Sequence, residues 1–225
     1  MERITDIIMV MLLLGCGSRS EKKGDFPSAN IDHQVIDQVI RDVLGVRDGH
    51  VVRADLESVG DLFLGNCQIA DIASLSVMKG LRNLNLRNNR ITDLKPLSNL
   101  GGLEMLHLGQ NQVENLSALA GLVKLEKLNL SGNLIVGLHC LSEMRDLRVL
   151  RASGNQIVDL TPLGGLVELE RLSLWGNQIT NLAPLETLAD LKWLFLDDNP
   201  NLTRVEVERF QREMPNCRIY HNARN

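Results

Sequence analysis

Apolar residues along this chain fall into a unit that recurs every 22 residues. In the stretch Leu81–Gly102, Leu84 and Leu86 alternate with polar Asn83, Asn85 and Arg87, the period of a short half-buried strand. Ile91, Leu94, Leu97 and Leu100 then follow at intervals of three. That spacing predicts a short 3₁₀ or irregular helical return with one face turned inward. A unit this small cannot bury its own leucines, so it must stack on copies of itself.

Copies begin at Leu103, Leu125, Leu147, Leu169 and Leu191, and a weaker one precedes them from Val59. Between strand and return, Asn89, Asn111, Asn133, Asn155, Asn177 and Asn199 stand in strict register, with Cys67 in the same place in the first copy. Here the backbone loses its sheet partners. An amide that both donates and accepts satisfies such groups within and between turns, so these residues predict a structural ladder. The pattern LxxLxLxxN/CxIxxLxxLxxL resembles the leucine-rich repeat family, in the short form of bacterial internalins and of a phosphatase-regulating scaffold. The resemblance spans residues 59–217. It implies an α/β solenoid: a horseshoe with a parallel β-sheet on its concave face, short 3₁₀ segments on the convex side, and helical caps at both ends.

The ends of the array carry different patterns. Ile7–Leu14 is an apolar run ending in Gly15-Cys16. It is shorter than the ~20 residues a membrane helix needs and suits a signal-peptide core. A small residue followed by cysteine resembles the bacterial lipobox, which implies lipidation of Cys16, although the leader offers only Arg3 against Glu2 and Asp6. Polar residues 17–26 read as a tether. From Asn30 to Leu44 an amphipathic helix is expected, with Asn30 as N-cap, Asp32 at the positive end, and Ile31, Val35, Val39 and Val43 on one stripe with Ile36, Ile40 and Leu44 beside it. Past Asn199, Thr203 and Glu206 read as a capping box before a helix whose Val207, Phe210 and Met214 share a face. The expected organisation is therefore a signal peptide over 1–16, a tether over 17–26, an N-terminal cap over 27–58, seven repeats over 59–200 and a C-terminal cap over 201–225.

Charge and chemistry narrow the function. A net charge of −4 offers no broad basic surface, so nucleic acid is not an expected partner. Cys67 and Cys140 lie three repeats apart, more than ~14 Å at strand spacing, while a disulfide needs Cα atoms within ~7 Å. No intrachain disulfide is expected. Neither nucleophile elbow nor phosphate loop nor zinc spacing is present, which argues against an enzyme, a cofactor or a metal. His139-Cys140 lacks a second ligand pair, and Asp197-Asp198-Asn199 lacks the spacing of a calcium loop.

What remains is the outward face of the sheet. Aromatic residues make up only 3% of the chain, yet both tryptophans fall on outward positions of the strands. Trp175, Trp193 and Phe195 are expected to meet across the last two repeats, with Arg151 and Arg171 at the border. Such a surface suits an apolar anchor together with a carboxylate, because Trp and Arg dominate interface hot spots. The resemblance to internalins implies a monomeric, lipid-anchored binding module of the cell envelope, at the outer membrane in a Gram-negative cell. Its ligand would be a protein, peptide or glycan on the concave face, and its membrane contact Cys16. The likeness to the phosphatase regulator implies the alternative, a cytoplasmic scaffold gripping an enzyme with the same face.

Overall fold

The structure is a computed structural model that describes residues 28–46 and 51–224. The expected signal peptide, tether and Cys16 lie outside them. Seven strands, β1 (Asp61–Phe63), β2 (Asn83–Asn85), β3 (Met105–His107), β4 (Lys127–Asn129), β5 (Val149–Arg151), β6 (Arg171–Ser173) and β7 (Trp193–Phe195), recur at the sequence period. With β8 (Arg218–Tyr220) from the cap they form one parallel sheet in chain order. Each strand except β8 leads into a 3₁₀ turn or into the cap, as at Lys95–Leu97 and Thr161–Leu163. This is the solenoid expected from the alternating and three-residue periods.

The core is one leucine column per repeat position. In the third turn Leu103, Leu106, Leu108, Val113, Leu116, Leu119 and Leu122 are all buried. Burying such a side chain contributes about 1.5–3 kcal/mol, and it is available only because the turns above and below cover it.

Each ladder asparagine ties two turns together. Asn133 donates to Leu108 O at 3.0 Å and Leu130 O at 2.8 Å, and its Oδ1 accepts from Val113 N at 3.0 Å. Asn89, Asn111, Asn155, Asn177 and Asn199 repeat this pattern. At the first turn no earlier turn exists for an asparagine to reach. There Cys67 Sγ donates to Gly65 O at 3.4 Å, and the Cys67 amide donates to Asn89 Oδ1 at 3.1 Å. The residue before each ladder position is left-handed: Asn66, Asn88, Gln110, Gly132, Gly154, Gly176 and Asp198. That explains glycine in three consecutive repeats, since it enters this region without a Cβ penalty.

Two caps close the stack, and both differ in detail from expectation. Helix α1 (Ser28–Leu44) begins before Asn30, so Asn30 is inside the helix. Its most buried described residues are Ile36 and Ile40, while Val35, Val39 and Val43 are only half-buried. The contact with the first turn therefore centres on Ile36 and Ile40, the residues expected beside the valine stripe, with the valines at its border. Asp32 has a tertiary role: its Oδ2 accepts from Ala70 N at 2.9 Å and Asp71 N at 2.8 Å, covering donors at the open end of the array. A short helix α2 (Arg53–Ser58) follows.

At the other end, Thr203 Oγ1 accepts from Glu206 N at 3.3 Å to start helix α3 (Arg204–Glu213). The Glu206 side chain does not return to complete the box. Instead Oε1 accepts from Leu182 N at 2.7 Å and pairs with Arg209, which also pairs with Glu186. A tertiary bond that covers a donor of the sixth turn has displaced the local one. Val207, Phe210 and Met214 face the core as expected.

Candidate functional site on the open sheet face

Along β1 to β7 the middle leucine points into the core and its two neighbours point out, which builds parallel columns across the sheet. Register places Arg171 beside Trp193 and Arg218, and Ser173 beside Phe195 and Tyr220. The Arg171 guanidinium lies over both β7 rings, 5.2 Å from the Trp193 centroid and 5.6 Å from that of Phe195. Phe195 in turn stacks on Tyr220, with centroids 4.7 Å apart and planes 7° from parallel. Arg171 Nε is buried without a hydrogen-bond partner. Rings of this kind hold a cation through their negative faces.

Of the five residues predicted for this surface, three come together: Arg171, Trp193 and Phe195. Trp175 stands apart. It is 48% exposed, and its indole N–H donates to Asp198 Oδ2 at 3.0 Å. The Phe195–Tyr220 stack is the one ring pair found among the described residues. Trp175 sits past the end of β6, level with Asp197 rather than with the β7 rings, which gives its side chain a different neighbour. Arg151 is exposed on β5, in register with Ser173, and belongs to the same face without touching the rings. Tyr220 was missed because it lies in the cap, beyond the last repeat. Its alternation with Arg218 around inward Ile219 was the available signal.

The centre of the face is polar and cationic. His107 lies between Asn129, whose Nδ2 is 3.1 Å from His107 Nε2, and Gly109, whose amide donates to His107 Nδ1 at 3.2 Å. Burial first, then the Arg87 and Arg151 cations, hold the His107 imidazole below its ordinary range. Asn129 also accepts from Ser131 N at 3.0 Å, so it is half-buried and engaged, not a bare surface residue.

Among the described residues no group of three or more His, Cys, Asp or Glu side chains is placed to hold a metal, and no disulfide joins Cys67, Cys140 and Cys217. Burial pushes the Cys140 and Cys217 thiols up to about 11, so both keep their protons and neither is a ready nucleophile or ligand. No helix of the described residues is long and apolar enough to cross a membrane.

A parallel stack of strand and 3₁₀ turns with one uncovered sheet face defines a solenoid of leucine-rich turns. The family model described as "Leucine rich repeat" matches residues 79–135, and that described as "Leucine Rich repeats (2 copies)" matches residues 145–187. Among solved structures, internalin C2 of Listeria monocytogenes is 30% identical with a TM-score of 0.78, over 89% of this chain and 88% of that one. A second internalin of the same organism is 25% identical with a TM-score of 0.79; the match covers 87% of this chain but only 59% of the internalin. A leucine-rich repeat protein of Leptospira interrogans is 27% identical with a TM-score of 0.61, over 73% and 49% of the two chains. No curated protein matches the chain. The chain belongs to the leucine-rich repeat family, in the internalin-like form. Its fold is that of a protein-interaction module.

Proposed function

We propose that the protein is a non-enzymatic binding module that engages a protein or peptide through its open, concave sheet face, held at the cell envelope by a lipid on Cys16. The observation that carries the reading is the Arg171–Trp193–Phe195–Tyr220 assembly, a cation laid on aromatic rings at the surface of a rigid sheet. Large rings bring contact area at low entropic cost, and arginine brings directed donors, which is the composition of interface hot spots.

A benzophenone-bearing side chain placed at Ser173 should cross-link to a partner protein in cells, and the same group at exposed Val167, outside the sheet, should not. For the cross-linked partner, Trp193→Ala should weaken binding by about thirtyfold, the equivalent of a ~2 kcal/mol hot spot. Asn85→Ala, on β2, should leave affinity within about twofold, as a contact outside a hot spot does. Cross-linking from Val167 alone would place the interface elsewhere.

The membrane part of the proposal rests on the Gly15-Cys16 motif. Attached acyl chains provide the multiple signals that stable anchoring requires, and Gly17 after the cysteine favours the outer membrane in a Gram-negative cell. The wild type should enter the detergent phase on partitioning, and Cys16→Ala should stay in the aqueous phase. If both remain aqueous, the protein has no lipid anchor and the cytoplasmic scaffold becomes the better reading.

A further inference from the structure

Charge on this molecule is distributed in two ways. The row just before the strands mixes both signs and sums to zero, with Arg82 paired with Glu104 at 3.4 Å, Arg148 with Glu170 at 3.3 Å, and Lys192 with Glu170 at 2.8 Å. The outward columns of the sheet do not. Arg87, Lys127, Arg151, Arg171 and Arg218 stand there, and among the described residues none of the five has a carboxylate within ion-pair distance. The carboxylates on those columns are Asp61 and Asp197, in the first and last repeats. Asp61 already accepts from Asn83 Nδ2 at 2.5 Å. A chain of net charge −4 thus carries a cationic band across its open face.

Arg171 is the most organised of the five. Its guanidinium lies over the Trp193 and Phe195 rings, and its Nε is buried without an acceptor. The guanidinium has no hydrogen-bond or ion-pair partner among the described residues, so the charge on the rings is left for a group from outside the chain to meet. The matching group is a carboxylate, which meets a guanidinium through two parallel hydrogen bonds. Because the rings already restrict the arginine, less side-chain entropy remains to be lost on binding.

The band also fixes a length. From β2, which leads to Arg87, to β8, which carries Arg218, there are six strand intervals of ~4.8 Å, or ~29 Å. An extended chain at ~3.3 Å per residue covers that span with about nine residues. Exposed Met105, the β7 rings and Tyr220 lie among the cations, so apolar side chains have places beside the acidic ones.

We infer that the partner presents an extended acidic polypeptide segment of about nine residues, laid across the strands with a carboxylate on Arg171. This inference rests on the sheet-face reading above, and names the partner's chemistry.

The test uses the full chain and fluorescein-labelled nonapeptides in which leucine alternates with glutamate, glutamine or lysine, read by anisotropy. The glutamate peptide should bind at least ~tenfold more tightly than the glutamine one, weaken as salt rises, and lose at least ~tenfold affinity with Arg171→Gln. Arg145→Gln, an exposed arginine outside the sheet, should leave binding within about twofold, as loss of a distant surface charge does. Equal binding of glutamate and glutamine peptides, both weakened by Trp193→Ala, would overturn the acidic inference and leave the sheet-face reading standing. Glutamate-peptide binding unchanged by both Arg171→Gln and Trp193→Ala would overturn both. A loss with Arg145→Gln equal to that with Arg171→Gln, no binding of the glutamate peptide at millimolar concentration, or a nine-nucleotide oligothymidylate binding as tightly, would each reject the acidic segment.

Discussion

Phe210→Ala is expected to cost about 3–5 kcal/mol of stability, the largest loss any single side chain of the caps should give. Phe210 is the largest fully buried side chain and sits on α3, packed into the core cluster with Leu202, Val207 and Met214. Its loss leaves a cavity at the C-terminal end of the leucine columns. A solenoid is held by neighbour contacts, so the damage should begin at that end and spread inward. The same change bears on the candidate site, because β8 follows α3 and carries Tyr220 onto the Phe195 ring. In urea titrations followed by tryptophan fluorescence, the signal of Trp193 and Trp175 should move before the far-ultraviolet circular dichroism does. Val205→Ala, on the same helix but 74% exposed, should change stability by less than about 0.5 kcal/mol. Equal, small effects from the two would mean that α3 is not a structural cap.

The ladder gives the second large effect. Asn133→Ala should destabilise by about 1–3 kcal/mol, the cost of one unmet buried donor, since it leaves Val113 N without its partner while Leu108 O and Leu130 O keep the amide donors of Asn111 and Asn155. Asn133 is 6% exposed, so water cannot easily replace the amide. Exposed Asn99, in the same family of turns, provides the comparison, and its alanine variant should stay within about 0.5 kcal/mol. Thermal melts of the two variants measure the difference. A matching melting temperature would contradict the inter-turn role of the ladder.

Much of this fold was legible because its forces are periodic. Alternation at Leu84 and Leu86 defines a strand, threefold spacing from Ile91 defines the return, and a slip by one residue would turn every leucine outward. The inward set, the parallel register and the ladder follow from that arithmetic. The left-handed residue before each ladder position came only from the structure: it is glycine in three repeats, Asn or Asp in three and Gln110 in one.

Tertiary structure decided what no local period constrains. Asp32 reaches amides 38 and 39 residues away, and Glu206 leaves its own capping box for Leu182 N, because donors at the open ends of a solenoid must be satisfied by whatever lies nearest. On the open face no packing dictates where a long side chain points, so sequence gave the columns but not their contacts. Arg171 settles on Trp193 and Phe195, while Trp175 turns to Asp198. Tyr220 completes the site from a strand outside the repeat pattern, added to the sheet only once α3 has folded the chain back. The leucine pattern by itself determined a stack of parallel turns. Which of its exposed residues form one surface was decided by contacts between turns, where the energy of a cation on a ring depends on distance and not on sequence spacing.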